Sequence, residues 1–173
     1  MTRIERFQLY EKLYFHELER REKISARLSL PIAATVANVG LLSFMLNSAG
    51  RPQGNFYSVS FWFLFCASSV ALLAGAWFFR KAWFGHTDKL LPTADQIEIY
   101  HADLVRTYEE FENSEDLVKK HFNDFLFDYY KRFSSANAIN NDQRSYDIYR
   151  ANAALTVAVL LALASAIPFY VSH

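Results

Sequence analysis

Charged residues are absent from three long stretches of this sequence, residues 28–46, 56–79 and 151–171. Each stretch is apolar and roughly 19 to 24 residues long, enough for a helix to cross a hydrocarbon core of about 30 Å. The sequence therefore predicts an all-α integral membrane protein with three transmembrane helices and a helical cytoplasmic domain. Because the spans contain no Asp, Glu, Lys or Arg, they offer no intramembrane proton relay and no buried catalytic acid.

Cysteine and glycine are also scarce. The single cysteine, Cys66, lies in the second apolar stretch, so it cannot form an intramolecular disulfide and is expected to pack as a small apolar residue. With five glycines in the whole chain, a glycine-rich phosphate loop is not expected, and no GxSxG or Cys-His pattern is present. We therefore predict a protein that is not an enzyme and that has no cofactor.

Two patterns keep an enzymatic alternative open. His121, Asp124 and Asp128 can share one helix face and offer metal ligands, although a solvated helix face explains them equally well. Arg80 and His86 have the Arg-x5-His spacing seen in some helical ribonucleases. They also follow a predicted span, where basic residues are expected in any case. The prediction remains that the chain has no metal site and no catalytic residues.

The 18 basic and 18 acidic residues cancel, which argues against a nucleic-acid partner held by a phosphate-binding surface. The charges are nevertheless divided along the chain. Residues 1–28 carry seven basic and five acidic side chains, whereas residues 85–150 carry eight basic and thirteen acidic ones.

Basic residues cluster on one side of the apolar stretches. Arg20, Arg21, Lys23 and Arg27 precede the first stretch, while the loop after it contains only Arg51. The positive-inside rule then places the N-terminus in the cytoplasm and the C-terminus on the outer side of the membrane. The predicted divisions are a cytoplasmic amphipathic helix (1–27), a transmembrane hairpin (28–79, with spans 28–46 and 56–79), a cytoplasmic helical segment (80–150) and a third span with the C-terminus (151–173).

The cytoplasmic segments have helical patterns. Residues 2–27 predict a helix that continues into the first span, with a kink at Pro31. Thr93 and Gln96 fit a capping box that begins a second helix. A third helix is predicted from Asn113 or Ser114 to Phe133, followed by a break over residues 134–141 and then by a stem leading into the third span. We expect a small four-helix assembly from these segments and the N-terminal helix. The predicted partner-facing residues are Phe122, Phe125, Tyr129 and Tyr130.

Small residues recur every four positions in the spans, a spacing that lets helices approach closely in lipid. Asn38 lies in the middle of the first span, where its amide is expected to seek a hydrogen-bond partner. We predict a homo-oligomer in which these positions form the interface or line a pore. The alternative is that they all pack within one protomer. The predicted residues are Asn38, Ala67, Ala71, Gly75, Ala154, Ala158 and Ala162.

The segment from Tyr10 to Pro31, YEKLYFHELERREKISARLSLP, followed by two closely coupled spans and a helical segment, resembles the small helical membrane effectors of bacterial anti-phage systems. The arrangement is similar to that of the SLATT-like group and of the membrane accessory proteins that accompany RNA-targeting CRISPR nucleases. The third span departs from the two-span pattern. The resemblance implies an oligomer that perturbs a bacterial inner membrane after an infection signal from a cytoplasmic sensor protein or a nucleotide. The outward-facing C-terminus would then be periplasmic.

The sequence thus favours an oligomeric membrane effector that forms or gates a pore, with membrane lipid and further copies of itself as partners. A non-conducting scaffold that recruits a cytoplasmic protein is the main alternative, because the spans offer few polar side chains for a pore lining. A transporter is a third possibility, although three spans without broken helices or an internal repeat provide no central binding site.

Overall fold

A computed structural model describes residues 1–48 and 55–172, and these residues form helices with no strand. The five helices are α1 (Arg3–Ala26), α2 (Ser29–Ser48), α3 (Phe56–Phe84), α4 (Ala94–Tyr108) and α5 (Ser114–Ser172). Three helical stretches are long and apolar enough to cross a membrane, and they contain the three charge-free sequences. The all-α prediction and the three candidate spans are confirmed. Arg51 and His173, which were used in the topology prediction, lie outside the described residues.

The chain divides into two units. One comprises Met1–Glu22 and Thr87–Asn141 and is called the polar unit below; the other comprises Lys23–His86 and Asp142–His173 and is called the apolar unit. By sequence, the polar unit carries eleven basic and sixteen acidic residues, and the apolar unit carries seven basic and two acidic ones. The net charge of zero is therefore the sum of five excess acidic residues in the polar unit and five excess basic residues in the apolar unit.

The N-terminal helix does not run smoothly into the first span. A turn at Arg27 and Leu28 separates α1 from α2, with the amides of both residues bonded three residues back rather than four. Pro31 lacks the amide hydrogen that a continuous helix would bond to the carbonyl of Arg27. The predicted interruption is therefore real, but it falls before the proline rather than at it.

The start of α4 follows its sequence signal. The hydroxyl of Thr93 accepts from the amide of Gln96, and the side chain of Gln96 accepts in return from the amide of Thr93. These reciprocal bonds satisfy two amides that the first turn of a helix leaves unpaired. The predicted capping box is confirmed.

The predicted break over residues 134–141 is wrong, because α5 is one helix of 59 residues. Its asparagines suggested a loop, but their side chains bond to other parts of the polar unit instead of to their own backbone. Asn137 both donates to the carbonyl and accepts from the amide of Lys89, at 2.9 and 2.8 Å. Asn140 donates to the carbonyl of Thr87 and Asn141 to that of Glu17. The polar unit therefore contains three helical segments, from α1, α4 and α5, and not the four that were predicted.

The apolar unit packs around two clusters of buried side chains. One contains Ile24, Leu28, Ala82 and Ile148, where the charge-free stretches of α2 and α5 begin. The other contains Met45, Phe61 and Phe169, near the opposite ends of those stretches. The buried side of α2 consists of Pro31, Asn38, Leu42 and Met45, which recur at helical spacing. All three candidate spans contribute residues to both clusters, so the three spans pack against one another.

Candidate functional site

The most distinctive surface of the polar unit is a row of aromatic rings on α4 and α5. Tyr100 stacks on Phe125 with their ring centroids 4.1 Å apart and an angle of 23° between the rings. Phe125 then meets Tyr129 edge to face at 4.7 Å, and Tyr129 meets Phe133 in the same way at 4.9 Å. The last three rings lie one helical turn apart on α5, so their register follows directly from sequence spacing. We call these four residues the aromatic row.

The aromatic row forms one wall of an open groove of about 440 Å³. Asp128 supplies an exposed carboxylate to the groove and Arg132 a guanidinium, while the carboxylate of Asp124, which also lines the groove, is ion-paired with Arg3. Ring faces next to carboxylates attract cations and planar groups, because the π-electrons and the carboxylates present negative charge to the same ligand. The groove is therefore suited to holding an apolar or cationic group of a partner.

The helix ends beside this surface are strongly acidic. Between residues 95 and 116 the chain has eight acidic side chains and one basic side chain, and all nine are exposed. They are Asp95, Glu98, Asp103, Arg106, Glu109, Glu110, Glu112, Glu115 and Asp116. Such a concentration of one sign steers partners of opposite charge and repels those of like charge.

Three of the four predicted partner-facing residues meet on this side of the unit. Phe125 and Tyr129 belong to the aromatic row, and the ring of Phe122 is stacked 6.5 Å from that of Phe125. Tyr130 lies elsewhere: it is 8% exposed and packs against Phe7 and Tyr14 of α1. Tyr130 therefore belongs to the core of the polar unit, while a partner-facing role for the other three stays a prediction.

The buried position of Tyr130 has an electrostatic consequence. Burial raises the pKa of its hydroxyl above the usual value near 10, and the negative charge and hydrogen bond of Glu11 raise it further. The hydroxyl thus stays neutral across the physiological range and donates to Glu11. The pair links α1 to α5 within the polar unit.

Within the apolar unit, the predicted interface residues have two kinds of environment. Asn38, Gly75, Ala158 and Ala162 are buried inside a single copy of the chain. The other three, Ala67, Ala71 and Ala154, are half-buried. The buried four pack within a single copy of the chain, and a role of all seven residues in contact between copies or in a pore stays a prediction.

The close approach of α3 and α5 explains this use of small residues. A Cβ atom on Gly75 would lie 2.9 Å from side-chain carbons of Leu155, which leaves no room for a larger residue. About two turns earlier on α3, the hydroxyl of Ser68 donates to the carbonyl of Ala158 at 2.7 Å. Both residues of that pair are fully buried, so the bond is protected from water.

Replacing Ser68 with alanine is expected to lower the free energy of unfolding by about 1 kcal/mol, since it removes a hydrogen bond between two spans. The measurement is unfolding in mixed detergent micelles followed by circular dichroism. Ser69→Ala is the matched control, because Ser69 donates only to the carbonyl of Phe65 in its own helix. Equal effects of the two substitutions would contradict a specific role for the bond to Ala158.

The structure also contains a buried charged cluster that the sequence interpretation missed. Asp147 on α5 is 1% exposed, and its carboxylate accepts from Nζ of Lys81 at 3.3 Å and from Nε2 of His86 at 3.1 Å. Arg144 donates to the backbone carbonyl of His86 at 3.2 Å. The available signal was that Asp147 lies closer to a charge-free stretch than any other acidic residue, at a stretch end where basic residues are numerous.

This cluster changes the reading of the Arg80 and His86 pair. His86 bonds to Asp147, whereas the guanidinium of Arg80 is placed over the ring of Trp77, 5.5 Å from its centroid. The two residues therefore have different partners. Among residues 1–48 and 55–172, no three His, Cys, Asp or Glu side chains are grouped to hold a metal ion, which includes His121, Asp124 and Asp128.

Comparison of the chain with protein families, with curated proteins and with solved structures finds no match. The function must therefore be argued from the geometry described above.

Proposed function

We propose that this protein is an oligomeric membrane effector of the bacterial inner membrane, in which the polar unit receives a signal and the spans form or gate a pore. The polar unit is then cytoplasmic and the C-terminus periplasmic, as the distribution of basic residues favours. The signal is a cytoplasmic sensor protein or a nucleotide of an anti-phage response, in keeping with the SLATT-like character of residues 10–31. The aromatic row and its acidic surroundings are the proposed receiving surface for the sensor protein, since these acidic side chains repel an anionic nucleotide.

The observation that carries the proposal is the amide of Asn38. Asn38 is 2% exposed in a charge-free span, and neither its Oδ1 nor its Nδ2 has a hydrogen-bond partner among the residues that the structure describes. An unpaired amide in an apolar surrounding costs about 1–3 kcal/mol. That cost disfavours the observed arrangement of the spans relative to one in which the amide is hydrated or bonded to another copy. A second, open arrangement is what gating requires.

Replacing Asn38 with leucine is expected to stabilise the observed arrangement by about 1–3 kcal/mol, because the side chain keeps its number of non-hydrogen atoms and loses the unpaired groups. If the open arrangement exposes Asn38 to water, its population falls by roughly 5- to 150-fold. The measurements are the unfolding midpoint in mixed micelles and the release of a trapped dye from proteoliposomes.

Asn47→Leu provides the matched control, since Asn47 is exposed on the same helix and its replacement is expected to change stability by less than about 0.5 kcal/mol. Stabilisation by Asn38→Leu together with undiminished dye release would count against gating through this residue. Destabilisation would mean that the amide has a partner in the membrane, and would remove the observation on which the proposal depends.

A scaffold that recruits a cytoplasmic protein without conducting ions is the second candidate, and one feature favours it. The hydroxyls of Ser68, Ser165 and Thr35 all donate to backbone carbonyls of the spans. They are consequently not free to line a water-filled path. A pore would have to use the remaining exposed hydroxyls, such as that of Ser43, contributed by several copies.

The experiment that separates the two functions is particle imaging of the full-length protein in lipid nanodiscs. A closed ring around an axial opening is the expected result for a pore, and it would identify the lining residues for conductance measurements. A monomer, or a dimer with no enclosed axis, would overturn the pore and favour the scaffold. Aromatic-row variants such as Tyr129→Ala are not expected to alter the ring, because Tyr129 belongs to the polar unit.

A further inference from the structure

The apolar unit has a groove of about 410 Å³ on the side where α2 and α5 run next to each other. It lies near the ends of the spans at which the charge-free stretches of both helices begin. Most of its lining is aliphatic, as expected for a surface that contacts lipid chains. These lining residues are Leu30, Pro31, Ala34, Leu155, Val159 and Leu160.

Two polar side chains, Asn152 and Thr156, line the same groove one helical turn apart on α5. Neither has a hydrogen-bond partner within the described part of the chain. An amide and a hydroxyl that face an apolar groove of a membrane span are costly unless an occupant bonds to them. The ester and glycerol oxygens of a phospholipid lie at this depth, just below the headgroup, and accept such bonds.

A basic side chain precedes the groove in sequence. Arg27 is exposed in the turn between α1 and α2, three residues before Leu30, which lines the groove. On α5, the exposed Tyr149 precedes Asn152 by three residues. The apolar unit as a whole has seven basic residues and two acidic ones, so the charge that complements it is negative.

We propose that this groove binds one anionic phospholipid, with an acyl chain along the aliphatic lining, its ester region on Asn152 and Thr156, and its phosphate at Arg27. Basic side chains beside a groove between membrane helices bind the anionic headgroups of lipids. The site is independent of whether the protein conducts ions or serves as a scaffold. It assigns to α2 and α5 a lipid-specific contact in addition to general solvation by the bilayer.

Native mass spectrometry of the full-length protein, released from detergent with phosphatidylglycerol or phosphatidylcholine of identical acyl chains, tests the assignment. One phosphatidylglycerol is expected to bind several-fold more tightly than phosphatidylcholine. Arg27→Gln is expected to weaken phosphatidylglycerol about fivefold and to leave phosphatidylcholine unchanged. Ala34→Leu fills the groove and is expected to abolish the specific binding of both lipids.

Two matched variants make the same kinds of substitution outside the groove and serve as controls. Ala37→Leu makes the same change at an exposed position of α2 that does not line the groove, and Arg80→Gln removes an exposed charge that lies over Trp77. Both are expected to retain wild-type lipid binding, with all variants compared at equal helicity and unfolding midpoint. Equal binding of the two lipids, or retained binding in Ala34→Leu, would overturn the proposal. So would a change of oligomer mass in Ala34→Leu without a change in lipid binding, which would identify a second copy as the occupant.

Discussion

Replacing Asp147 with alanine is expected to lower the free energy of unfolding by about 1–3 kcal/mol, because it removes a buried acceptor that two side chains share. The carboxylate is buried and accepts from both Lys81 and His86. The side chain of His86 is 6% exposed and loses its partner in a poorly solvated position, whereas that of Lys81 is 55% exposed and returns to solvent. Unfolding in mixed micelles measures the loss.

Two comparisons locate the origin of that effect. Lys81→Met is expected to cost about 1 kcal/mol or less, since the side chain of Lys81 is 55% exposed and solvent screens its ion pair. Asp128→Ala removes an exposed carboxylate from the same helix and is expected to change stability by less than about 0.5 kcal/mol. If Asp147→Ala were as mild as Asp128→Ala, the buried cluster would have no structural role.

The second large effect is expected for Ala158→Leu, at about 3 kcal/mol of lost stability. Ala158 is completely buried, and its carbonyl accepts the hydroxyl of Ser68, so α3 and α5 cannot separate to admit three more carbon atoms without losing that bond. Overpacking of a close contact forces side chains from their rotamers or moves the backbone. Unfolding midpoints and the mass of the protein in detergent should be measured together.

The matched variant Ala153→Leu introduces the same side chain at an exposed position of α5, and it is expected to have little effect on stability. The pair also addresses assembly. If Ala158→Leu left the protomer stable and changed only the oligomer mass, Ala158 would face another copy, contrary to its burial within one chain. Loss of stability at unchanged stoichiometry would assign it to the protomer core.

Much of the fold was predictable because it follows from local patterns. The three charge-free stretches predicted the candidate spans, and the Thr93 and Gln96 spacing predicted the start of α4. The error at residues 134–141 has a physical cause: asparagine favours loops when its amide bonds to nearby backbone. In α5 the amides of Asn137 and Asn141 bond to residues 48 and 124 positions away instead. No local pattern carries that information.

The candidate site was predictable to a similar degree. Phe125 and Tyr129 are one turn apart on a helix, so their shared face follows from spacing alone. The sequence could not reveal that Tyr130, the next residue, contacts Phe7 and Tyr14, because these contacts join segments more than a hundred residues apart. The Asp147 cluster was missed for the same reason, since its members come from α3, from the segment that follows α3 and from α5. Contacts between distant elements decide which side chains are buried.

The bond from Asn141 to Glu17 also sets an order of events during synthesis. The two residues are 124 positions apart, and residues 23–86, with two of the candidate spans, lie between the segments that form the polar unit. At about 5–20 residues per second, α1 waits roughly 6–25 s before its last partner leaves the ribosome. During that interval Phe7, Tyr14 and neighbouring apolar side chains are exposed, because their native contacts on α5 have not yet been synthesised. A nascent chain of this protein is therefore expected to need a chaperone at its first helix, even though insertion of the early spans is already under way.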